Sequence, residues 1–457
     1  MSDTIMPAKA IGGFGGAQLQ PGDPAYDEAR TLFNSMVDKR PALIAQCESV
    51  ADVVAAVEYG VDQGLEIAVR AGGHGVTGAA LSEGGLVIDV RRMNQAEVDP
   101  DARTVKVGGG AIWADLDNAC QPYNLATTGG RVSTTGVAGL TLGGGSGWLE
   151  RKLGLACDNL LEVELVLADG RLVTASETSN PELFWALHGG GGNFGVATSL
   201  TFRVHSLPAT TLAMLFWPAS AGPEVFRAYR DLIEQGAPEE LGGGTLYLTG
   251  PPEEFMPAHL QGELIVGSAA VMMGDEHELR EVFQPMFDLA PEGALVAEMP
   301  YAELQSALDD PPGYRNYWSA AHLNTLPDEA IDLFCGRASA MPMPSPSQQA
   351  LLPWGGAVAR EADRWPLPHR SASWTVHPFG LWPDPDQDTV GIAWARDLVA
   401  ELKPFSTGAV YLNFIGDEGR DRVVAGFGQA NYDRLTRVKG EFDPGNVFHL
   451  NHNIRPA

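Results

Sequence analysis

Cysteine is scarce in this chain: four residues in 457, Cys47, Cys120, Cys157 and Cys335, lie far apart with no CxxC pair. That spacing excludes a disulfide framework and a cysteine-built zinc site, so reduced thiols and no metal are expected. Basic charge is the second shortage. Lys and Arg number 30 against 58 Asp and Glu, a formal net charge of -28, which argues against nucleic acid or an anionic membrane surface as partner. Long apolar runs are missing too. No stretch of about 18 apolar residues occurs, and the opening MSDTIMPAKAIGGFGG has no basic-then-apolar signal region. The expectation is a soluble, unexported, cytoplasmic protein, monomer or homodimer, that works on small molecules.

What the chain has in excess is glycine: 54 copies, about 12% of the residues against a usual ~7%, concentrated before residue 200. Its length and 44% apolar content predict two domains with buried cores. The stretch Arg70-Ala71-Gly72-Gly73-His74-Gly75-Val76-Thr77-Gly78 follows an apolar run, Leu65 to Val69, that reads as a buried strand. Glycines where a strand ends permit positive φ and close approach, so successive backbone N–H groups can form a concavity for an anion such as a pyrophosphate. An ordinary tight loop is the other reading of the same residues.

Upstream, Tyr26 to Val37 reads as a polar helix and Ala42 to Ala45 as a strand. After Ser49, the valines 50, 53, 54, 57 and 61 follow helical spacing and Gly64 stops that helix, which makes a βαβ unit with the strand before Arg70. Leu86 to Val90 and Thr104 to Val107 read as strands, and a helix runs from about Ile112 to Tyr123. The glycine region Gly136 to Trp148 would leave a surface almost bare of side chains, suited to a flat ligand or simply a bulged turn. Leu161 to Leu167 and Arg171 to Ala175 form a hairpin around Asp169-Gly170. Gly190, Gly192 and Gly195 satisfy GxGxxG, yet a strand (Val196 to Val204) follows where a dinucleotide fold needs a helix, so NAD is discarded.

The set RAGGHGVTG, GVAGLTLGGGSGW with RKLGLACDNL, PELFWALHGGGGNFGVAT, and near the end YLNF with FDPGNVFHLNHNI resembles the flavin-linked oxidases of the vanillyl-alcohol oxidase superfamily, berberine bridge enzyme-like branch. The resemblance runs nearly continuously over 40–205 and returns in 405–457. It implies an α+β fold of two lobes: a PCMH-type FAD-binding domain from residues 1–205, completed by 406–457, and an α+β substrate domain, 206–405, with an antiparallel sheet over the flavin. In that middle part Pro223 to Glu234, Asp275 to Phe287 and Asp328 to Cys335 read as helices. Gly244 to Thr249, Glu263 to Met272 and Ser371 to Val376 read as strands.

The resemblance further implies that His74 bonds covalently to the 8α-methyl carbon of FAD. Relatives with a second, cysteinyl tether carry that cysteine where this chain has Val132, so a single tether is expected and Cys157 is a small buried residue. Arg70, with the amides of Ala71, Gly72, Gly73 and Gly75, belongs to the implied pyrophosphate cradle. Gly136, Gly139 and Thr141 would flank the ribityl and diphosphate, and Val196 the adenine end. Asn413 and Asn451 would contact the flavin or cap turns. A base is needed to take a proton from substrate O–H or N–H while hydride leaves for flavin N5. His377, the nearest titratable residue to the matching segment, and Tyr411 are the candidates; either could instead be an ordinary packed residue. Tyr314, Tyr317, Trp318, Trp374, Phe379 and Trp382 divide between pocket and core. The implied activity is an oxidase of a small alcohol or amine (sugar, aromatic or N-heterocyclic), reoxidised by O2 to give H2O2. A dehydrogenase with another acceptor and a flavin-binding protein without turnover are the alternatives.

Overall fold

The computed structural model describes residues 9–360 and 362–457. The fold is α+β. Its first sheet has the order Ala17–Leu19, Leu43–Gln46, Leu86–Asp89, Ile67–Arg70, with the last three strands parallel. The helix Val50–Asp62 connects two of them. Ser49 caps it by accepting from the Asp52 amide at 3.2 Å, and Val53, Ala56 and Val57 form its buried stripe. Leu86–Asp89 inserts between the two strands of the expected βαβ unit. The helix expected from Tyr26 to Val37 stops at Arg30. Beyond it the chain turns extended, and the Phe33 amide bonds the Gly73 carbonyl at 3.3 Å. Tertiary pairing with the glycine turn thus overrides local helix propensity.

A second, antiparallel sheet of five strands has the order Ala96–Asp99, Thr104–Gly108, Val196–Arg203, Leu160–Val166, Leu172–Ser176. The glycine region expected to be bare surface contains a short helix, Val137–Leu142. Val137 and Leu142 pack into one core with Phe184, Trp185, Leu412, Phe427 and Leu435. The C-terminal helices Arg420–Phe427 and Gln429–Phe442 therefore lie against the glycine-rich elements. Lys439 fixes this return. Fully buried, its ammonium donates to Asp443, 2.6 Å away, and to the carbonyls of Asn193 and Phe448 at 2.5 and 2.8 Å, a charge removed from water only because all its donors are satisfied.

The largest sheet is antiparallel and eight-stranded: Gly293–Met299, Thr210–Pro218, Leu264–Met272, Leu241–Thr249, Gln348–Pro353, Trp374–Trp382, Arg315–Trp318, with Ala321–Leu323 also on Trp374–Trp382. Successive residues face opposite sides. Ala213, Leu215 and Trp217 enter the core beneath the helices Gly222–Glu234, Glu276–Phe287 and Asp328–Gly336, whereas Leu212, Met214 and Phe216 face a cavity. No helix among the described residues is long and apolar enough to cross a membrane.

Candidate active site

A cavity of about 880 Å³ lies between the glycine loops and this sheet, the size range of cofactor and ligand sites. The strand Ile67–Arg70 delivers its first wall, Ala71 to Thr77. Gly72 is required by close approach: a Cβ there would stand 2.2 Å from the Gly136 amide nitrogen, so two backbones touch where side chains cannot fit. Gly139 is different. A Cβ on it would meet nothing within 4 Å, so its bareness leaves room for something outside the chain. Gly75, Gly136 and the run Gly189 to Gly192 complete this wall. The donor-rich, side-chain-free surface fits an extended dinucleotide such as FAD.

His74 projects from the first loop into the cavity. Its ring stacks on Phe33, centroids 4.2 Å apart, with Nε2 2.9 Å from Thr134 Oγ1 and Nδ1 3.4 Å from Thr135 Oγ1. Burial pushes its pKa down to about 4, so the imidazole is neutral, the nucleophilic form. Val132 lines the cavity, and no cysteine does so among the described residues; Cys157 is buried and free.

On the opposite wall His377 reaches the cavity from Trp374–Trp382. Its Nδ1–H donates to the Ser319 carbonyl at 3.0 Å, and its ring stacks on Phe414 with centroids 4.1 Å apart. That tautomer leaves the Nε2 lone pair for a ligand. Burial lowers the pKa to about 4, so the ring is an unprotonated acceptor at neutral pH. Thr245, Ser268, Gln348, Asp309 and Asp310 supply further polarity to walls otherwise made by residues such as Leu246, Leu295 and Leu352.

Four expected site residues stand elsewhere. Arg70 is buried, and its guanidinium donates to the carbonyls of Ala29 and Thr31, so it pins the N-terminal segment instead of lining the cavity. Thr141 sits fully buried on the inner side of Val137–Leu142, and Val196 is core beside Val166. Tyr411 is fully buried, and its phenol oxygen accepts from the amides of Gly145 and Ser146 at 2.6 and 3.0 Å and from Asn413 Nδ2 at 2.9 Å. Burial raises its pKa far above the usual phenol value. It clamps the glycine region and does not reach the cavity. Asn413 and Asn451 do line it, while their amides also donate to the carbonyls of Leu140, 3.0 Å, and Gly192, 3.2 Å. Of the six aromatics, Trp318 and Phe379 face the cavity; Trp374 and Trp382 are core.

Several lining residues had no sequence signal. Arg131 lies over the Trp148 ring at 5.2 Å and donates to Glu150 at 2.8 Å and Ser146 at 2.9 Å. Its neighbours Thr134 and Thr135 flank His74, and only the density of glycine around them marked the region.

Residues 41–176 match the family model of the FAD binding domain, and residues 410–455 match that of berberine and berberine-like proteins. The chain is 31% identical to (R)-6-hydroxynicotine oxidase of Paenarthrobacter nicotinovorans, covering 96% of this chain and 97% of that one. It superposes on the crystal structure of 6-hydroxy-D-nicotine oxidase from Arthrobacter nicotinovorans with a TM-score of 0.85, 27% identity and 100% of both chains. Glucooligosaccharide oxidase from Acremonium strictum, which has a 6-S-cysteinyl, 8α-N1-histidyl FAD, shares the fold at a TM-score of 0.83 and 23% identity over 97% of each chain.

Proposed function

The chain belongs to the berberine bridge enzyme-like branch of FAD-linked oxidoreductases in the vanillyl-alcohol oxidase superfamily, and from that premise we propose that it oxidises a small organic alcohol or amine, with O2 as final acceptor and H2O2 as product. One observation carries the reading: a single cavity has a glycine cradle with neutral His74 on one side and the unprotonated Nε2 of His377 on the other. FAD, when bound, would supply the acceptor for the hydride, which carries both electrons of the oxidation.

The chain's own residues do the rest. Residues 1–205 and 406–457 hold the cofactor, and 206–405 cover the substrate. Backbone groups of Ala71, Gly72, Gly73, Gly75, Gly136 and Gly139 bind it, with Asn413 and Asn451 at its flavin side. His74 is its single covalent tether. His377 Nε2 accepts the proton of the substrate O–H or N–H; the Ser319 carbonyl fixes its tautomer, and stacked Phe414 fixes its plane. Leu246, opposite Ala350, and Leu352, diagonal to His377, keep water from the reacting groups. A base in the cavity weighs against a flavin carrier without turnover; peroxide yield in air separates the oxidase from a dehydrogenase using another acceptor.

Acid precipitation of the purified protein, with intact mass and flavin fluorescence of the pellet, tests the cofactor. Flavin retained by wild type and released from His74→Ala is expected. A protein that takes up no FAD when it is supplied sinks the whole reading.

A further inference from the structure

Asp310 is a carboxyl in the cavity with no cationic partner among the described residues. Its Oδ1 accepts from Gln348 Nε2 at 2.9 Å. Neighbouring Asp309 is already engaged, accepting from the Ser133 amide at 2.6 Å and from its hydroxyl at 2.5 Å, which anchors the segment to the loop beside His74. Pro311 and Pro312 follow directly and stiffen the backbone that presents the carboxyl.

The sheet register says where this carboxyl stands. Ala350 pairs with His377 and Gln348 with Phe379, so Gln348 is the diagonal neighbour of His377, about 7–8 Å along the sheet. Phe379 and Trp318, ring centroids 4.6 Å apart, line the same part of the cavity. A carboxylate beside aromatic rings is the arrangement that holds an organic ammonium. The charge balance agrees. Arg131, the one Lys or Arg lining the cavity among the described residues, is neutralised by Glu150, while Glu253, Asp309 and Asp310 leave the cavity acidic. A neutral sugar would supply no counter-charge to an ionised Asp310.

Resting on the oxidoreductase reading above, we propose that Asp310 is the specificity-determining residue of this site and that the substrate class is an apolar or aromatic amine, its ammonium held between Asp310 and the Phe379–Trp318 rings. Asp309 on its own segment and Gln348 on the sheet act on Asp310 directly; the other charged or titratable groups lining the cavity are Arg131, His74, His377, Glu253 and His452. Burial and, second, the Asp309 carboxylate raise Asp310 to about 7, against the lowering hydrogen bond from Gln348. Amine affinity therefore falls as the pH drops below 7 and the carboxyl takes a proton.

Calorimetric titration of the FAD-loaded protein tests this with N-methylbenzylamine and two longer arylalkyl amines, each paired with its neutral methyl ether, at pH 8 and pH 6, where the amines stay protonated. Wild type should prefer amine to ether and bind it more weakly at pH 6. Asp310→Asn should weaken the amines about 10- to 100-fold, remove that pH dependence and leave the ethers unchanged. Equal binding of amines and ethers, equal loss of both in Asp310→Asn, or amine affinity identical at both pH values overturns the proposal. The wild-type pH comparison stands even if the variant misfolds. A preparation that takes up no FAD fails the cofactor reading instead, which its visible spectrum reveals before any amine is added.

Discussion

Tyr411→Phe separates a clamp from a catalyst. The substitution removes one oxygen and leaves three donors behind: the amides of Gly145 and Ser146 and the Asn413 Nδ2–H, which reach it at 2.6, 3.0 and 2.9 Å. The site is fully buried, so the vacated space is sealed from bulk solvent. At roughly 1 kcal/mol for each orphaned donor, the low end for buried groups, the loss is about 3 kcal/mol. Unfolding entropy scales with length at about 2.1 cal/mol/K per residue, near 1 kcal/mol/K for this chain, so Tm should fall by about 3 °C. Scanning calorimetry of FAD-loaded wild type and variant measures the shift, and turnover at 25 °C measures the chemistry. Because the phenol does not reach the cavity, the variant should keep kcat within a few fold. An unchanged Tm, or a collapse of kcat with Tm and flavin content intact, refutes the clamp and restores Tyr411 as a base.

His377→Ala should retain FAD yet lose about 10²- to 10⁴-fold in kcat, the usual worth of a positioned base. The acid limb of wild-type kcat should lie nearer 4 than 6.5, since burial depresses this imidazole and only its neutral form accepts a proton. Gly139→Ala should raise the stability of the FAD-free protein slightly, by up to about 1 kcal/mol, because a helical glycine is replaced in open space. It should also weaken FAD uptake in a fluorescence titration; normal uptake would remove Gly139 from the cradle. Acid should destabilise the fold. Burial lowers His74 and His377 to about 4, His188 and His369 to about 3, and His322 well below its usual value. Between those values and 6.5 the unfolded chain binds protons that the folded chain refuses, so stability is present above 6.5 and lost as the pH falls. Buried Asp117 and Asp310 are raised and oppose this. Urea midpoints at pH 7.5 and 5 check the sign, and a higher midpoint at pH 5 contradicts it.

Most of the cofactor side of this protein is legible in the sequence, Arg70, Thr141 and Val196 being the exceptions. RAGGHGVTG and the glycine region after it are contiguous motifs whose requirement, backbone without side chains, is written residue by residue; Gly72 against Gly136 is that requirement in three dimensions. It also marked Ser49 as a helix start and His377 as a candidate base. Boundaries suffered where distant partners intervened, as at Thr31, where pairing of Phe33 with Gly73 ends the helix that local propensity would extend. The strands Thr210–Pro218 and Gln348–Pro353 carried no turn or alternation signal strong enough to name, because both faces are covered. Only the tertiary structure decided which candidates meet. Tyr411 and Asn413 are two residues apart, yet one points into the core and the other lines the cavity. Asp310 is far from His377 in sequence and reaches its vicinity because Gln348 is that histidine's diagonal neighbour in the sheet. Burial, strand register and the direction of a side chain are properties of pairs distant in sequence, and no local pattern encodes them.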